Sequence, residues 1–452
     1  MNKAASRLAL ATISPLLIGI GLTLTPCLAH ADLLVSNFGG FVMRYPDGSV
    51  NQAYNFTTFP NTVVFPSSFT ADSANFDSAA GVTQGPDGNI YVSSYDQGQV
   101  LQYSPTGAFL NDFVTLPQDY VQNGDGSYSP INAAPAHLQF YNGSLYVSDN
   151  NGTSVWQYTV NKNPTTGALS IDPNVAPTAA VSGLEGAGAF TFAPNGDLYA
   201  SNFGGPIYGD PPVAVVKVSN GVQTNFAYPA FNEGVPSPEA PNGLLFVNNM
   251  LLVVDLEGNK ILKYNSSGTY EGVFATIPSP GGVTPPPDNN FPSDMVLSRD
   301  GKSIYLAVLG YTRTPEVPPD GGVLQYDLNG NLIATVATGL PIASSIALGV
   351  QKGDFNLDGQ IDVGDISAME AALSNLPTYE SNNNLSDDEL KIIGDVNGDG
   401  QINNADLQAL LNLVRSEGTA STAPVPEPDA FALAAAALFA FGFQCYRRQW
   451  SK

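Results

Sequence analysis

One short pattern recurs six times between residues 33 and 348, and it leaves the chain few folds to adopt. Each copy holds a turn, an apolar strand, a polar break and a second strand that usually ends in tyrosine. The second strands are 41–45, 100–103, 155–158, 215–218, 261–264 and 323–326, and Tyr45, Tyr103, Tyr158, Tyr264 and Tyr326 close five of them. The strands before them are 33–36, 90–93, 145–148, 198–201, 251–254 and 304–307. Gly85-Pro86-Asp87-Gly88, Pro194-Asn195-Gly196 and Arg299-Asp300-Gly301 supply tight turns between strands. A repeat of about 53 residues fits a propeller blade with inserted loops. The first copy opens directly on its 33–36 strand, whereas 342–348 is a strand with no successor. Pairing the two completes a sixth blade and closes a ring, which removes exposed sheet edges. The expected fold is all-β over residues 32–349, a six-bladed β-propeller, followed by a small α-helical domain over 350–416.

In blade pattern this region resembles the NHL-repeat and gluconolactonase-like propellers. Gly- and Pro-rich insertions at 118–135, 204–212, 277–292 and 312–321 are expected to project from the rims, where binding specificity usually sits. Composition agrees with short strands and many turns. Gly (45) and Pro (35) are abundant and only 12% of residues are charged, which argues against coiled coils. All 40 acidic residues lie between Asp32 and Asp429 with 11 of the 16 basic ones, so that span carries 11 − 40 = −29. Such a surface repels phosphate backbones and excludes nucleic acid as a partner.

The sharpest chemical signal follows the repeats. Two segments share one ligand spacing, the first carrying Asp354, Asn356, Asp358, Gln360, Asp362 and Asp365, the second Asp395, Asn397, Asp399, Gln401, Asn403 and Asp406. Side-chain oxygens at loop positions 1, 3, 5, 9 and 12, with the main-chain carbonyl of position 7, wrap a hard cation such as calcium. Gly359 and Gly400 at position 6 permit the sharp turn, and Ile361 and Ile402 at position 8 let the paired loops pack together. An amphipathic helix is expected after each loop, and Ser386-x-x-Glu389 is a capping box that starts a short extra helix. The pair of EF-hand-type loops resembles a type I dockerin over residues 353–415. The resemblance implies two bound calcium ions and a cohesin-like protein partner. Positions 10 and 11, which help set cohesin choice in that family, are Val363-Gly364 and Asn404-Ala405 rather than the common hydroxyl pair.

Much catalytic machinery is excluded. Outside residues 1–31 the chain has one histidine, His137, so no His-rich metal site exists there; its apolar neighbours suggest a buried structural residue. Neither a Walker loop nor a Rossmann fingerprint is present. The gluconolactonase resemblance implies one enzymatic alternative, a further divalent metal in the propeller channel held by Glu, Asn and Asp. Pro241-Asn242-Gly243-Leu244 and Pro292-Ser293-Asp294-Met295 resemble that family's Asn and Asp segments. Glu185 resembles its Glu but falls about four residues early. Aligning the blades gives Asn242 and Asp294 one common position, at which other blades carry Gly81, Ala136 and Ala189. The expectation is a propeller that binds a ligand, a carbohydrate or another matrix component, with a metal-dependent lactonase as the alternative.

The ends read as addresses. Lys3 and Arg7, an apolar stretch from Leu8 to Leu24 and Ala29-His30-Ala31 make residues 1–31 a secretory signal. Residues 417–429 are a linker ending in Pro426-Glu427-Pro428, and 430–452 hold an apolar run followed by Arg447-Arg448. This order resembles the PEP-CTERM sorting signal of Gram-negative bacteria, which implies an exosortase-type processing enzyme and delivery to the envelope, outer surface or matrix. Membrane contact is then expected only through the tail. The two cysteines, Cys27 and Cys445, lie outside 32–429, leaving that span without a disulfide framework or a thiol nucleophile.

Overall fold

Strand pairing sorts the repeat into six sheets set in a ring. The structure is a computed structural model, and it describes residues 32–38, 41–45, 52–53, 78–122, 124–164, 166–203, 214–227, 240–280, 290–310, 321–340 and 342–420. The expected signal segment, the sorting motif Pro426-Glu427-Pro428 and the apolar tail lie outside these residues, as do most of the 204–212, 277–292 and 312–321 insertions. Each blade runs antiparallel from an inner strand outward, and in blade V the short strand Gln52–Ala53 adds a parallel pair at the outer edge. The inner strands are Ala79–Gln84 (blade I), Pro135–Tyr141 (II), Ala187–Phe192 (III), Pro241–Val247 (IV), Pro292–Leu297 (V) and Ala343–Gly349 (VI). Each packs on the next, and Ala343–Gly349 packs back on Ala79–Gln84, which closes the ring.

Closure works as the sequence suggests. The inner strand of blade VI comes from the far end of the repeat and pairs antiparallel with Asp32–Asn37, with Leu33 opposite Leu348 and Val35 opposite Ile346. Asp32–Asn37 then pairs with Phe41–Tyr45. Packing between blades explains the residue pattern. The second strands Ile90–Ser94, Ser144–Asp149, Leu198–Asn202 and Ser303–Val308 are buried at every residue, because each sheet is covered on both faces and needs apolar side chains on both. The strand-ending Tyr103, Tyr158, Tyr264 and Tyr326 are all buried. They fill space between neighbouring blades; Leu34 and Val42 of blade VI, for example, share one cluster with Val82, Ile90 and Tyr103 of blade I. Outermost strands such as Val222–Ala227 face water along most of their length.

One insertion adds structure of its own. A hairpin, Asp119–Gln122 paired with Tyr128–Ile131, lies between blades I and II. It brings the Asp119 carboxyl against that of fully buried Asp149. Asp149 Oδ1 accepts from the Ala134 and Gly152 amides (2.8 and 3.2 Å), and its Oδ2 lies beside that of Asp119 over the face of Gly152. Burial, and then the bond and charge of Asp149, push the Asp119 carboxyl from 3.8 up to about 7. A folded value above the unfolded one means that the folded chain binds more protons between the two. The contact therefore contributes fully in acid and is lost as pH rises through about 7. Amide exchange in the hairpin should accelerate between about pH 5 and about pH 8 beyond the chemical pH effect, and Asp119→Asn should remove the excess. An excess unchanged in the variant would assign the opening to another group.

After Gly349 the described residues leave the ring and form four helices: α1 (Val363–Ser374), α2 (Leu376–Asn382), α3 (Asp387–Gly394) and α4 (Asn404–Ala420). α1 and α4 are the helices expected after the two loops, and α3 starts at the Ser386–Glu389 capping box, with both reciprocal bonds present. α2 was not expected; Asn375 caps it, and Pro377 stands in its first turn. Phe355, Met369, Ile393 and Leu410 form the centre of this domain's own core. Among the described residues no helix is long and apolar enough to cross a membrane.

Candidate metal loops and channel mouth

The two acidic loops share most of their internal bonds and differ at position 1, where Asp354 Oδ1 accepts from the Asp358 amide (3.1 Å) and Asp395 Oδ1 has no partner. Position 12 holds each loop together: Asp365 accepts from the amides of Asn356 and Asp362 (3.1 and 2.8 Å), and Asp406 from those of Asn397 and Asn403 (3.0 and 2.9 Å). Position 3 accepts from position 5 in both, Asn356 from Asp358 and Asn397 from Asp399. Position 5 accepts from position 7, Asp358 from Gln360 and Asp399 from Gln401. Position 9 accepts from position 11, Asp362 from Gly364 and Asn403 from Ala405. Gly359 and Gly400 stand at φ of 81° and 86°, a backbone that side chains resist.

The electrostatics of the loops suit a cation. Asp354, Asp365, Asp395 and Asp406, at positions 1 and 12, are all buried. Burial, and then the neighbouring Asp365, push the Asp354 carboxyl up to about 7, and burial raises Asp365 as well. Asp395 Oδ1 is buried with no hydrogen-bond partner. Carboxylates taken out of water in such numbers need charge compensation. An all-oxygen donor set with the orphaned Asp395 oxygen suits a hard divalent ion of the calcium class. The side chains of Gln360 and Gln401 are exposed, which leaves position 7 to its main-chain carbonyl.

The propeller holds a second candidate. A cavity of about 180 Å³ opens at one mouth of the central channel, and Asn242 and Asp294 both line it. The ladder registers correct their alignment. Leu244 pairs with Val253 and Met295 with Leu306, so Asp294 matches Gly243, and Asn242 matches Ser293 one residue earlier. The bulge falls alike in both inner strands; what differs is the turn that follows, which is longer in blade V, with Leu297 opposite Ile304, than in blade IV, with Val247 opposite Met250. Asp294 accepts from Ser345 Oγ (2.6 Å) and from the amides of Met295 (2.9 Å) and Ile346 (3.3 Å). Asn242 Nδ2 donates to Ser293 Oγ at 3.3 Å. Glu185 stands elsewhere: its side chain is exposed, and its amide donates to Asn202 Oδ1.

His137, expected in the interior, instead lines the channel mouth, with Nε2 3.8 Å from Asp294 Oδ2 and its ring edge-on to Phe190. Burial lowers its pKa and Asp294 opposes the shift, while Nδ1 has no partner. The sequence hid this because inner-strand neighbours are apolar whether or not a residue faces the channel.

Residues 352–423 match the family model described as the dockerin type I domain, a class of domain that binds calcium. No curated protein matches the chain. Among solved structures it is similar to the nidogen/laminin complex (14% identity, 71% of this chain, 98% of that chain, TM-score 0.45). It is also similar to regucalcin of Agrobacterium tumefaciens, a calcium-binding protein (15%, 60%, 78%, 0.35), and to a gluconolactonase of Xanthomonas campestris (12%, 70%, 87%, 0.39). The propeller assignment itself rests on the strand pairing.

Proposed function

We propose that this chain is an exported assembly protein. Its dockerin-type module takes two calcium ions and docks a cohesin-like partner, while its propeller binds a ligand at the channel mouth. The observation that carries the reading is the matched pair of loops, with four buried carboxylates of which Asp365 and Asp406 are bonded alike. When bound, calcium supplies the charge that these carboxylates lack. Residues 1–31 and the Pro426-Glu427-Pro428 tail support export to the envelope or matrix of a Gram-negative cell through an exosortase-type enzyme.

The channel mouth favours a neutral, hydroxyl-rich ligand such as a carbohydrate. Its polar groups are amides, serines, the His137 imidazole and the Asp294 carboxylate, which already accepts three hydrogen bonds, beside Phe38, Tyr95 and Phe203. The lactonase alternative needs a further divalent metal there, and Asn242 and Asp294 favour it only in part. They stand one register apart, Asp294 already accepts three hydrogen bonds, and Glu185 is outside the cavity.

Calorimetric calcium titration of the chain tests this. Two ions are expected, Asp365→Asn and Asp406→Asn each removing one, and a cohesin domain should be captured only by the loaded protein. A third ion that survives both substitutions together, and is lost in Asp294→Ala, would move the metal chemistry to the propeller and make lactone turnover the next assay.

A further inference from the structure

Helix α3 joins the second metal loop to the propeller. Its C-terminal cap is Asp395, the first ligand position of that loop, whose amide bonds to Lys391 O (3.0 Å). Its N-terminal end sits on blade V. Arg299, at the hairpin turn of that blade and 3% exposed, donates through Nη2 to Glu389 Oε1 (2.9 Å) and to Gly349 O (2.7 Å). Arg299 O in turn accepts from Asn384 Nδ2 just before the helix. The other oxygen of Glu389 closes the capping box by accepting from the Ser386 amide (2.9 Å). One carboxylate thus caps the helix and ties it to the ring.

Two further contacts fix the same pose. Gln84 of blade I bonds both polar groups of Val350, accepting from its amide (2.8 Å) and donating to its carbonyl (3.1 Å). Lys162 reaches Asp388 at 2.8 Å, but both side chains are well exposed and the pair contributes little. The helix also touches the start of the first loop, where the Gly353 amide donates to Ile393 O (2.9 Å) and Lys352 Nζ to Asp395 O (2.7 Å).

We propose that α3 is a strut through which calcium loading and docking of the module on its own propeller are one linked equilibrium, with Arg299 as the positioning residue. The inference rests on the calcium reading above. Asp395 reaches its loop position only at the end of a formed α3, and Arg299–Glu389 holds the other end of that helix. Linkage is reciprocal: whatever loosens the clamp weakens the ion, and removing the ion frees the clamp. The module's outer surface is then presented at a fixed angle to the ring only while calcium is bound.

The test uses the full chain. Glu389→Gln keeps a capping residue but removes the charge that meets Arg299, and Glu389→Lys reverses it. Calcium calorimetry should show the second ion of Glu389→Gln weakened by about fivefold or more, and that of Glu389→Lys weakened further. Trypsin should cut after Lys352, at the junction, faster in both variants than in the loaded wild type. Asp388→Asn, which removes only the exposed pair, should leave both readouts near wild type. Two ions bound with wild-type affinities in Glu389→Gln and Glu389→Lys would overturn the strut. No calcium bound by the wild type would instead bring down the calcium reading itself, and the strut with it.

Discussion

Chelating calcium should cost the chain its helices and leave its strands in place. The first loop carries Asp354, Asp358, Asp362 and Asp365, a formal charge of −4, and the second carries Asp395, Asp399 and Asp406, −3. Without a cation these groups repel one another, and four of them do so while buried. At free calcium about a thousand times the dissociation constant, each ion stabilises the folded module by about 4 kcal/mol. A domain of this size rarely holds more than about 3–5 kcal/mol in its core alone, so losing both ions exceeds the reserve. The propeller's own fold does not depend on this balance, because its blades are closed by strand pairing and apolar clusters that contain none of the loop residues. With a calcium chelator, the helical part of the far-ultraviolet signal should fall to near the coil value while the strand component and the upper thermal transition persist. Asp406→Ala should produce about half of that effect in excess calcium. Helical signal retained in full under chelation would mean that the module's core folds without metal.

The sequence foretold those parts of the fold whose cause is local. A strand ending in tyrosine recurs because Tyr103, Tyr158, Tyr264 and Tyr326 fill equivalent places between blades, and an equivalent place calls for an equivalent residue. The two acidic loops were legible as loops for the same reason, since each is closed within twelve consecutive residues by its last aspartate. The channel mouth was not legible in this way. Its residues come from different blades, and which of them faces the axis depends on a bulge in each inner strand, between Pro241 and Leu244 in one and between Pro292 and Asp294 in the next. An inserted residue turns the following side chain to the other face. The turn after the inner strand is also longer in blade V (Leu297 opposite Ile304) than in blade IV (Val247 opposite Met250), so counting along the chain put Asn242 level with Asp294 when Ser293 is its counterpart. α2 was missed because seven residues are too few for a clear period, although Asn375 and Pro377 mark its start.

Deleting residues 32–37 should abolish the soluble propeller, although it removes only one short strand. Leu33, Leu34 and Val35 are fully buried, and their side chains go to both sides of blade VI. Leu33 and Val35 pack with Tyr305, Ala307 and Val323 of blade V, and Leu34 packs with Val82, Ile90 and Tyr103 of blade I. Ser36 adds a bond across the ring seam, donating to Ala80 O at 2.6 Å. Truncating a single buried leucine to alanine costs about 2–5 kcal/mol. Losing three such side chains and both ladders of the strand therefore exceeds the roughly 5–15 kcal/mol that a whole domain holds. The inner strand of blade VI would also be left as an unpaired edge, open to pairing with other chains. The graded form of the test is Leu34→Ala, for which thermal or denaturant unfolding should register a loss of about 3 kcal/mol. Val222→Ala, at a position 63% exposed on an outermost strand, should stay within about 0.5 kcal/mol of the parent. If the deleted chain remains soluble with its cooperative transition intact, ring closure is not what holds the blades together, and the clusters between adjacent blades must suffice without it.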